Sequence, residues 1–426
     1  MTRAEGVVPF YRLEFDPAAL SGIEECLRSG WLTTGPKTKE FEARFAAALG
    51  VSPTACVALN SCTAALHLAL EAVGVRRGDA VIVPTMTFAA TAEVVRYFDA
   101  VPIFADCEPD TLNLSIESLG RIAREFVEGR PVPGLGSGPR GVLRAIVPVH
   151  YGGQPCDLAG VTRVAGEHGA AVVEDAAHAF PAGWIAPDGS RRLIGSGTSR
   201  VTCFSFYANK TITTGEGGMA VAAEPELADR MRVMSLHGMS RNAWNRYSEA
   251  GSWDYDLVAP GFKYNLTDIA AAIGLAQLAR AEEFRLARER IVALYDRSFA
   301  GMGEVETVLT RPGILHARHL YVLKLNLDRL SIDRTRFLAE LKERGILCSV
   351  HWRPLHMHQY YKETYNYRPE DFPAAASLWP RLVSLPLFPS MTDAEIQRVV
   401  EAVRDVCVRF GSHLIRAQAG AAPHRA

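Results

Sequence analysis

Val201-Thr202-Cys203-Phe204-Ser205-Phe206-Tyr207-Ala208-Asn209-Lys210-Thr211-Ile212-Thr213-Thr214-Gly215-Glu216-Gly217-Gly218 decides how this chain is read. Val201 to Phe206 has the apolar character of a short buried strand. Lys210 follows that strand closely. Gly215, Gly217 and Gly218 then mark a turn where side chains would obstruct a close backbone approach. Upstream, Val172-Val173-Glu174-Asp175-Ala176-Ala177-His178 reads as a second buried strand, ending in a carboxylate. An ionised carboxylate in such a place needs a partner. Taken alone, Asp175 is equally a helix cap or a loop ion pair, and a lysine near a sheet edge is ordinarily a solvated surface residue. Together they set an amine and a buried acid at the ends of two strands.

Working outward, Ala80-Val81-Ile82-Val83 after Gly78-Asp79 is a further strand, and others are expected at Val101–Ala105, Val142–Val149, Ala171–Glu174 and Met219–Ala222. The spacing of Phe41, Phe45 and Leu49 predicts a helix over Thr38–Leu49, and Leu66, Leu70 and Val73 predict one over Thr63–Val73. Further helices are expected at Ala89–Phe98, Ser115–Val127 and Leu158–His168. Strands alternating with helices imply an α/β fold with a mostly parallel sheet covered on both faces. Leu266–Phe284 predicts one long helix capped by Asn265 or Thr267. Beyond it come strands at His319–Leu325 and Leu347–His351 and helices at Thr335–Arg344 and Asp393–Arg404, a small α+β unit. The expected organisation is a large domain over 1–284 whose segment 1–30 packs on the small one, a small C-terminal domain over 285–413, and a disordered tail over 414–426. The Pro- and Gly-rich run Arg130–Gly141 predicts an exposed loop.

Composition removes several function classes. Hydrophobic residues make up 48% and charged residues 22% of the 426, the balance of a soluble globular protein. Lys and Arg number 46 against 47 Asp and Glu, so there is no basic footprint for nucleic acid. No run approaches the roughly 18 apolar residues of a membrane span, and Met1–Phe10 lacks a signal pattern, so cytoplasmic residence is the expectation. The eight cysteines are scattered without a CxxC pair, which argues against a metal site or a disulfide framework.

The amine and the acid fit pyridoxal 5'-phosphate (PLP). Lys210 would form a Schiff base, and Asp175 would keep the pyridine nitrogen protonated so that the ring accepts the electrons of a broken C–H bond. Other parts of such a site are present. Asn60-Ser61-Cys62-Thr63-Ala64-Ala65-Leu66 places small residues at a helix start, where Thr63 and Ala64 offer amides, and Thr63 a hydroxyl, to a phosphate; a plain N-cap is the alternative. Phe88 lies past the carboxyl end of a strand, where ligands of parallel sheets bind, and would stack on the ring or pack in the core. Ser205 would bond the phosphate. His178 would face the ring oxygen or the lysine side of the cofactor.

These residues resemble the sugar aminotransferases of the DegT/DnrJ/EryC1/StrS group, PLP enzymes of fold type I. The likeness runs from about Gly30 to Val403. It includes Gly30-Trp31-Leu32-Thr33-Thr34-Gly35-Pro36, the runs above, Gly261-Phe262-Lys263-Tyr264-Asn265-Leu266-Thr267-Asp268, His319-Leu320-Tyr321 and Val350-His351-Trp352-Arg353-Pro354-Leu355-His356. It also includes Leu385-Pro386-Leu387-Phe388-Pro389. The resemblance implies the aspartate aminotransferase-like architecture, a seven-stranded type of sheet plus a small domain. It matches Lys210, Asp175, His178, Phe88, Thr63, Ala64 and Ser205 to cofactor binding. It matches Asn265 to a residue reaching the neighbouring subunit's phosphate, hence a homodimer, and puts Thr33, His351 and His356 in segments lining a nucleotide-sugar pocket. Leu236-His237-Gly238-Met239-Ser240-Arg241-Asn242-Ala243-Trp244 followed by Ala259-Pro260-Gly261-Phe262-Lys263-Tyr264-Asn265-Leu266 is similar to enzymes that aminate C4 of UDP-linked 4-keto sugars, as in the relatives for 4-amino-4-deoxyarabinose and for 4-amino sugars of bacterial glycans. Asn209, where many relatives have Thr, and Phe180-Pro181 depart from the common pattern in ways expected to alter the sugar pocket.

The implied reaction takes an amino group from L-glutamate, leaves pyridoxamine 5'-phosphate, and passes the nitrogen to a nucleotide-linked keto sugar in glycan or lipopolysaccharide precursor synthesis. Two other readings compete. Sugar dehydratases of the group replace the lysine by histidine, and a non-catalytic regulator would tolerate loss of Lys210 or Asp175; both residues are present here.

Overall fold

The computed structural model describes residues 6–14, 16–135, 140–240 and 255–411. In chain order the strands are β1 (Cys56–Leu59), β2 (Ala80–Pro84), β3 (Val101–Ala105), β4 (Leu143–Ile146), β5 (Ala171–Asp175), β6 (Gly183–Ile185) and β7 (Arg191–Leu193). They continue with β8 (Val201–Ser205), β9 (Gly218–Ala222), β10 (Val305–Thr307), β11 (Ile314–Leu315), β12 (Tyr321–Leu325) and β13 (Leu382–Leu385). Seven of them make one sheet in the order β1-β9-β8-β5-β4-β2-β3. The pairs from β3 across to β8 are parallel, and β9 runs antiparallel to both β8 and β1. Every residue of β1, β2 and β9 is buried, as a sheet covered on both faces requires, which is why these strands read as continuous apolar runs rather than alternating ones.

The helix Cys62–Ala72 is apolar almost all round and lies buried against the sheet, with Leu66, Leu68 and Leu70 in the main core. On the opposite face, Phe41 and Phe45 of the helix Pro36–Leu49 meet Phe204, Phe206 and Phe180 edge-on or tilted at centroid distances of 4.7–5.5 Å. Phe180 is thus core, contrary to the expectation that it alters the sugar pocket. A third buried cluster sits apart, where β12 and β13 and the helices Ala281–Phe299, Arg334–Glu343 and Asp393–Phe410 enclose Tyr295, Phe337, Leu341 and Val399. Val8 joins this cluster, and the helix Pro17–Ser29 lies on the helix Asp268–Ala279, where Gly22 comes within van der Waals reach of Ala272. The tail 414–426 lies outside the described residues.

Three expectations are corrected. The apolar run Leu266–Phe284 is two helices, because Arg280 leaves helical geometry (φ −106°, ψ 5°) and Glu14 and Glu283 hold its guanidinium at the break. Leu347–His351 is not a strand: it makes an isolated bridge, Ser349 to Ser384, and a separate bond from Leu347 N to Val8 O (3.0 Å). In the run Arg130–Gly141, Val132 is buried in the main core and Gly134 abuts the ring of Tyr367; residues 136–139 lie outside the described set.

Candidate active site

The carboxyl ends of β1, β2, β5 and β8 open on one side of the sheet, where parallel topology places ligands. β8 ends at Ser205, and the chain then folds back: Phe206 N donates to Gly217 O (2.9 Å), Thr213 Oγ1 to Phe206 O (2.9 Å) and Gly215 N to Thr213 Oγ1 (2.9 Å). Lys210 N donates to Tyr207 O (2.9 Å) at the start of this closed turn, which aims the side chain back over the strand ends. Gly218 is required because a Cβ there would stand 2.4 Å from the carbonyl carbon of Ser61, where β9 presses on the entrance to the helix Cys62–Ala72.

The result is a cavity of about 490 Å³ lined by Lys210, Asp175, His178, Thr63, Phe88, Ser205 and His351 among the residues picked from sequence. Asp175 is 5% exposed; its Oδ2 accepts from Thr91 Oγ1 (2.7 Å) and its Oδ1 from Ala177 N (3.1 Å). Burial raises its carboxyl above the ordinary range, and those two donors pull it back. Thr91 Oγ1 also bonds Thr87 Oγ1 (2.8 Å), so a pair of buried hydroxyls anchors the acid. Burial pushes the Lys210 ammonium down to about 8, against the opposing pull of Cys62 and Asp175. Phe88 is 59% exposed at the mouth.

Three imidazoles gather beside Lys210. His178 and His319 have ring centroids 4.1 Å apart, and Trp352 lies 4.9 Å from His178. Burial holds both imidazoles well below their ordinary pKa and hence neutral. His351 bonds Ser384 Oγ through Nδ1 (2.8 Å), and burial pushes it down to about 4. The Nδ1 atoms of His178 and His319 are buried without a partner among the described residues. Beneath the site, His150 Nε2 meets Glu174 Oε2 at 2.8 Å while its Nδ1 accepts from Cys156 N, which fixes a neutral tautomer donating to Glu174.

The phosphate-side residues divide. Ser61, not Thr63, caps the helix, and its Oγ accepts from Ala64 N (3.1 Å). The Ala64 amide is therefore engaged, and Ala64 does not line the cavity; Cys62 and Thr63, the first residues of the helix, do. Thr33 and Asn265 also lie off this chain's cavity, close to each other: Asn265 Nδ2 donates to Thr34 Oγ1 (2.8 Å) and Thr33 Oγ1 (3.3 Å). His356 is fully buried elsewhere, bonded through Nδ1 to Thr85 Oγ1 (2.6 Å) and packed on Phe372. Sequence reasoning passed over Thr91, His319 and Trp352 as site residues. Thr91 falls in the first turn of the helix Ala90–Arg96 while Thr87 precedes that helix, so their contact depends on the bend between them and was not readable from spacing.

These residues fit PLP. The cavity ends in a helix N-terminus suited to a phosphate, an exposed aromatic flanks it, and a buried acid, a lysine of lowered pKa and an orphaned imidazole nitrogen face into it. Fold and site define a PLP-dependent aminotransferase of fold type I. The DegT/DnrJ/EryC1/StrS aminotransferase family signature matches residues 15–404. The chain is 43% identical over 385 residues to the spore coat polysaccharide biosynthesis protein SpsC of Bacillus subtilis, covering 90% of this chain and 93% of SpsC. The solved aminotransferase TlmJ from Streptoalloteichus hindustanus superposes with a TM-score of 0.81 at 29% identity, covering 95% of this chain and 100% of TlmJ. The PLP-form of Spr1654 from Streptococcus pneumoniae gives 0.82 at 30% identity, covering 95% and 99%. The chain belongs to the DegT/DnrJ/EryC1/StrS family of PLP-dependent sugar aminotransferases.

Proposed function

We propose that this protein transfers an amino group from L-glutamate to C4 of a UDP-linked 4-keto sugar, in the cytoplasm, as a homodimer supplying a polysaccharide or lipopolysaccharide precursor. The observation that carries the aminotransferase chemistry is the convergence of Lys210 and Asp175 on one buried cavity. PLP, when bound, supplies the electron sink that makes a C–H bond next to nitrogen acidic. Lys210 would hold the cofactor's aldehyde carbon, and its Nζ, when free, would take a proton from the donor's α-carbon and deliver one to the sugar carbon; an amine of pKa about 8 suits both tasks near neutrality. Asp175 would accept the hydrogen bond of the pyridine nitrogen, with Thr91 holding the carboxylate through its hydroxyl. Cys62, Thr63 and Ser205 line the cavity where their amides and hydroxyls would hold the phosphate, Phe88 would cover one ring face, and His178, kept neutral, would bond the ring oxygen.

Among the described residues lining the cavity, Lys210 is the only lysine or arginine, so a dianionic phosphate needs charge or donors from outside this lining. Thr33 and Asn265, paired on the surface away from their own cavity, suit contribution to the partner's site, which favours the dimer. The polysaccharide role rests on the likeness to SpsC, and the sugar and its position rest on the resemblance of the run Leu236–Trp244, of which residues 241–244 lie outside the described set. The test is a panel of UDP-, dTDP- and GDP-4-keto sugars with glutamate, scored by product mass. Amination of the UDP substrates is the expected result. No glutamate-dependent bleaching of the visible cofactor band would end the reading.

A further inference from the structure

β13 is apolar except for Ser384, which is 0% exposed. A hydroxyl sealed in an apolar strand needs an acceptor. Among the described residues its one side-chain partner is the ring of His351, with Oγ 2.8 Å from Nδ1. Two backbone bonds hold the register: Ser349 N donates to Ser384 O (3.0 Å) and Ser384 N to Ser349 O (2.8 Å), just before His351 in the chain. His351 is steadied from two further directions. Phe10 stacks on its ring at 5.6 Å and 26°, and the buried Tyr151 hydroxyl donates to its carbonyl.

The hydrogen count decides where the ring proton sits. A serine hydroxyl can donate or accept, and a neutral imidazole carries one N–H. If Nδ1–H donated to Oγ, the serine proton would be buried without an acceptor. That penalty favours the opposite arrangement by about 5- to 150-fold, with Oγ donating to Nδ1 and the ring proton on Nε2. Nε2 lies across the ring and has no partner among the described residues. The imidazole nitrogens sealed off without a partner belong to His178, His319 and His356, so this one reaches open space, and His351 lines the Lys210 cavity.

We propose that Ser384 is a positioning residue that locks His351 as the Nε2–H tautomer, so that a fixed donor meets a substrate oxygen able only to accept. The inference rests on the aminotransferase reading and extends it. Two such oxygens enter the cavity in turn, the carboxylate of the amino donor and the carbonyl of the keto sugar. The other tautomer would turn a lone pair toward either one and repel it. Burial keeps the ring uncharged, so it donates without setting a second charge beside Lys210.

Nitrogen NMR of holoenzyme carrying isotope-labelled histidine tests the lock directly, because bare and protonated ring nitrogens resonate far apart. The His351 signals are those missing from His351→Gln. The expected wild-type pattern is a bare Nδ1 and a protonated Nε2, and Ser384→Ala is expected to lose that preference. A protonated Nδ1 in the wild type overturns the inference, as does a pattern unchanged in Ser384→Ala. The two half-reactions of Ser384→Ala, followed separately in single turnovers, identify the oxygen. Slowing by about 2- to 12-fold with glutamate assigns the carboxylate, and the same slowing with a UDP-linked 4-keto sugar assigns the carbonyl. No slowing in either overturns the substrate contact. A thermal melt checks that the variant is folded; if it is not, the wild-type spectrum still decides the tautomer. Failure of glutamate to bleach the wild type would end the aminotransferase reading and the substrate contact with it, whereas a wrong tautomer would end the lock and leave that reading standing.

Discussion

Replacing Thr91 by valine removes one atom that matters. Thr91 is fully buried, and its hydroxyl donates 2.7 Å to Asp175 Oδ2. A hydrogen bond to a charged group contributes about 1.5–3 kcal/mol, and 1.36 kcal/mol is one pKa unit. The bond favours the ionised carboxylate, and burial already pushes Asp175 up, so its loss raises that group by about one to two units more. The ionised acid is the form that holds a protonated pyridine nitrogen. The acidic limb of kcat/KM for glutamate is therefore expected to move toward higher pH by about one to two units, with rates converging on wild type well above the limb. Thr91→Ser restores the hydroxyl and is expected to return the limb. The assay is single-turnover bleaching of the cofactor band by glutamate from pH 5 to 9, with a thermal melt as a check on folding. Superimposable profiles for Val and wild type would refute the role given to Thr91, and an unshifted limb in Asp175→Asn would refute the role given to the acid itself.

Four further outcomes follow from the same geometry. Lys210→Ala is expected to lose turnover and keep its fold, read by steady-state assay and circular dichroism; normal turnover would displace the lysine. Because the free amine is the nucleophile and burial pushes Lys210 down to about 8, the rate at which apoprotein captures PLP is expected to rise about tenfold per pH unit below 8 and flatten above it, followed by stopped-flow absorbance. His356→Leu is expected to cost about 1–3 kcal/mol of stability through the lost bond to Thr85, read as a lower urea midpoint, with the KM for acceptor unchanged; a KM effect without a stability effect would return His356 to the substrate pocket. Arg232→Met leaves Glu42 buried, with Ala58 N as its remaining donor, and is expected to cost about 3–5 kcal/mol at neutral pH. Burial already raises Glu42 in the folded protein, and removing its cation raises it further, so the deficit is present above that raised pKa and shrinks as falling pH protonates the group. Urea melts at pH 5 and 8 check this.

Much of the architecture was readable. β3 and the helix Leu158–His168 have the expected limits, and β2, β8 and β9 differ by a residue, because strands buried on both faces can only be apolar runs bounded by turn residues. The break at Arg280 was not readable, because Ala- and Leu-rich sequence favours helix throughout and the interruption depends on Glu14, distant in the chain. The same limit applies to His356. A histidine in the run His351–His356 looks like its neighbours in sequence, yet one turn of chain separates a cavity-lining ring from a core ring bonded to Thr85.

Local order along the chain determined the amine, the acid and the glycine turn, since strand burial and backbone clearance are properties of short segments. Which of the other candidates meet them was decided only by folding. Thr91 reaches Asp175 across 84 residues of chain, His319 lies against His178 from a distant segment, and Asn265 turns away from its own cavity. Those contacts are set by how the sheet, its covering helices and the smaller cluster pack, and no single stretch of sequence carries that information.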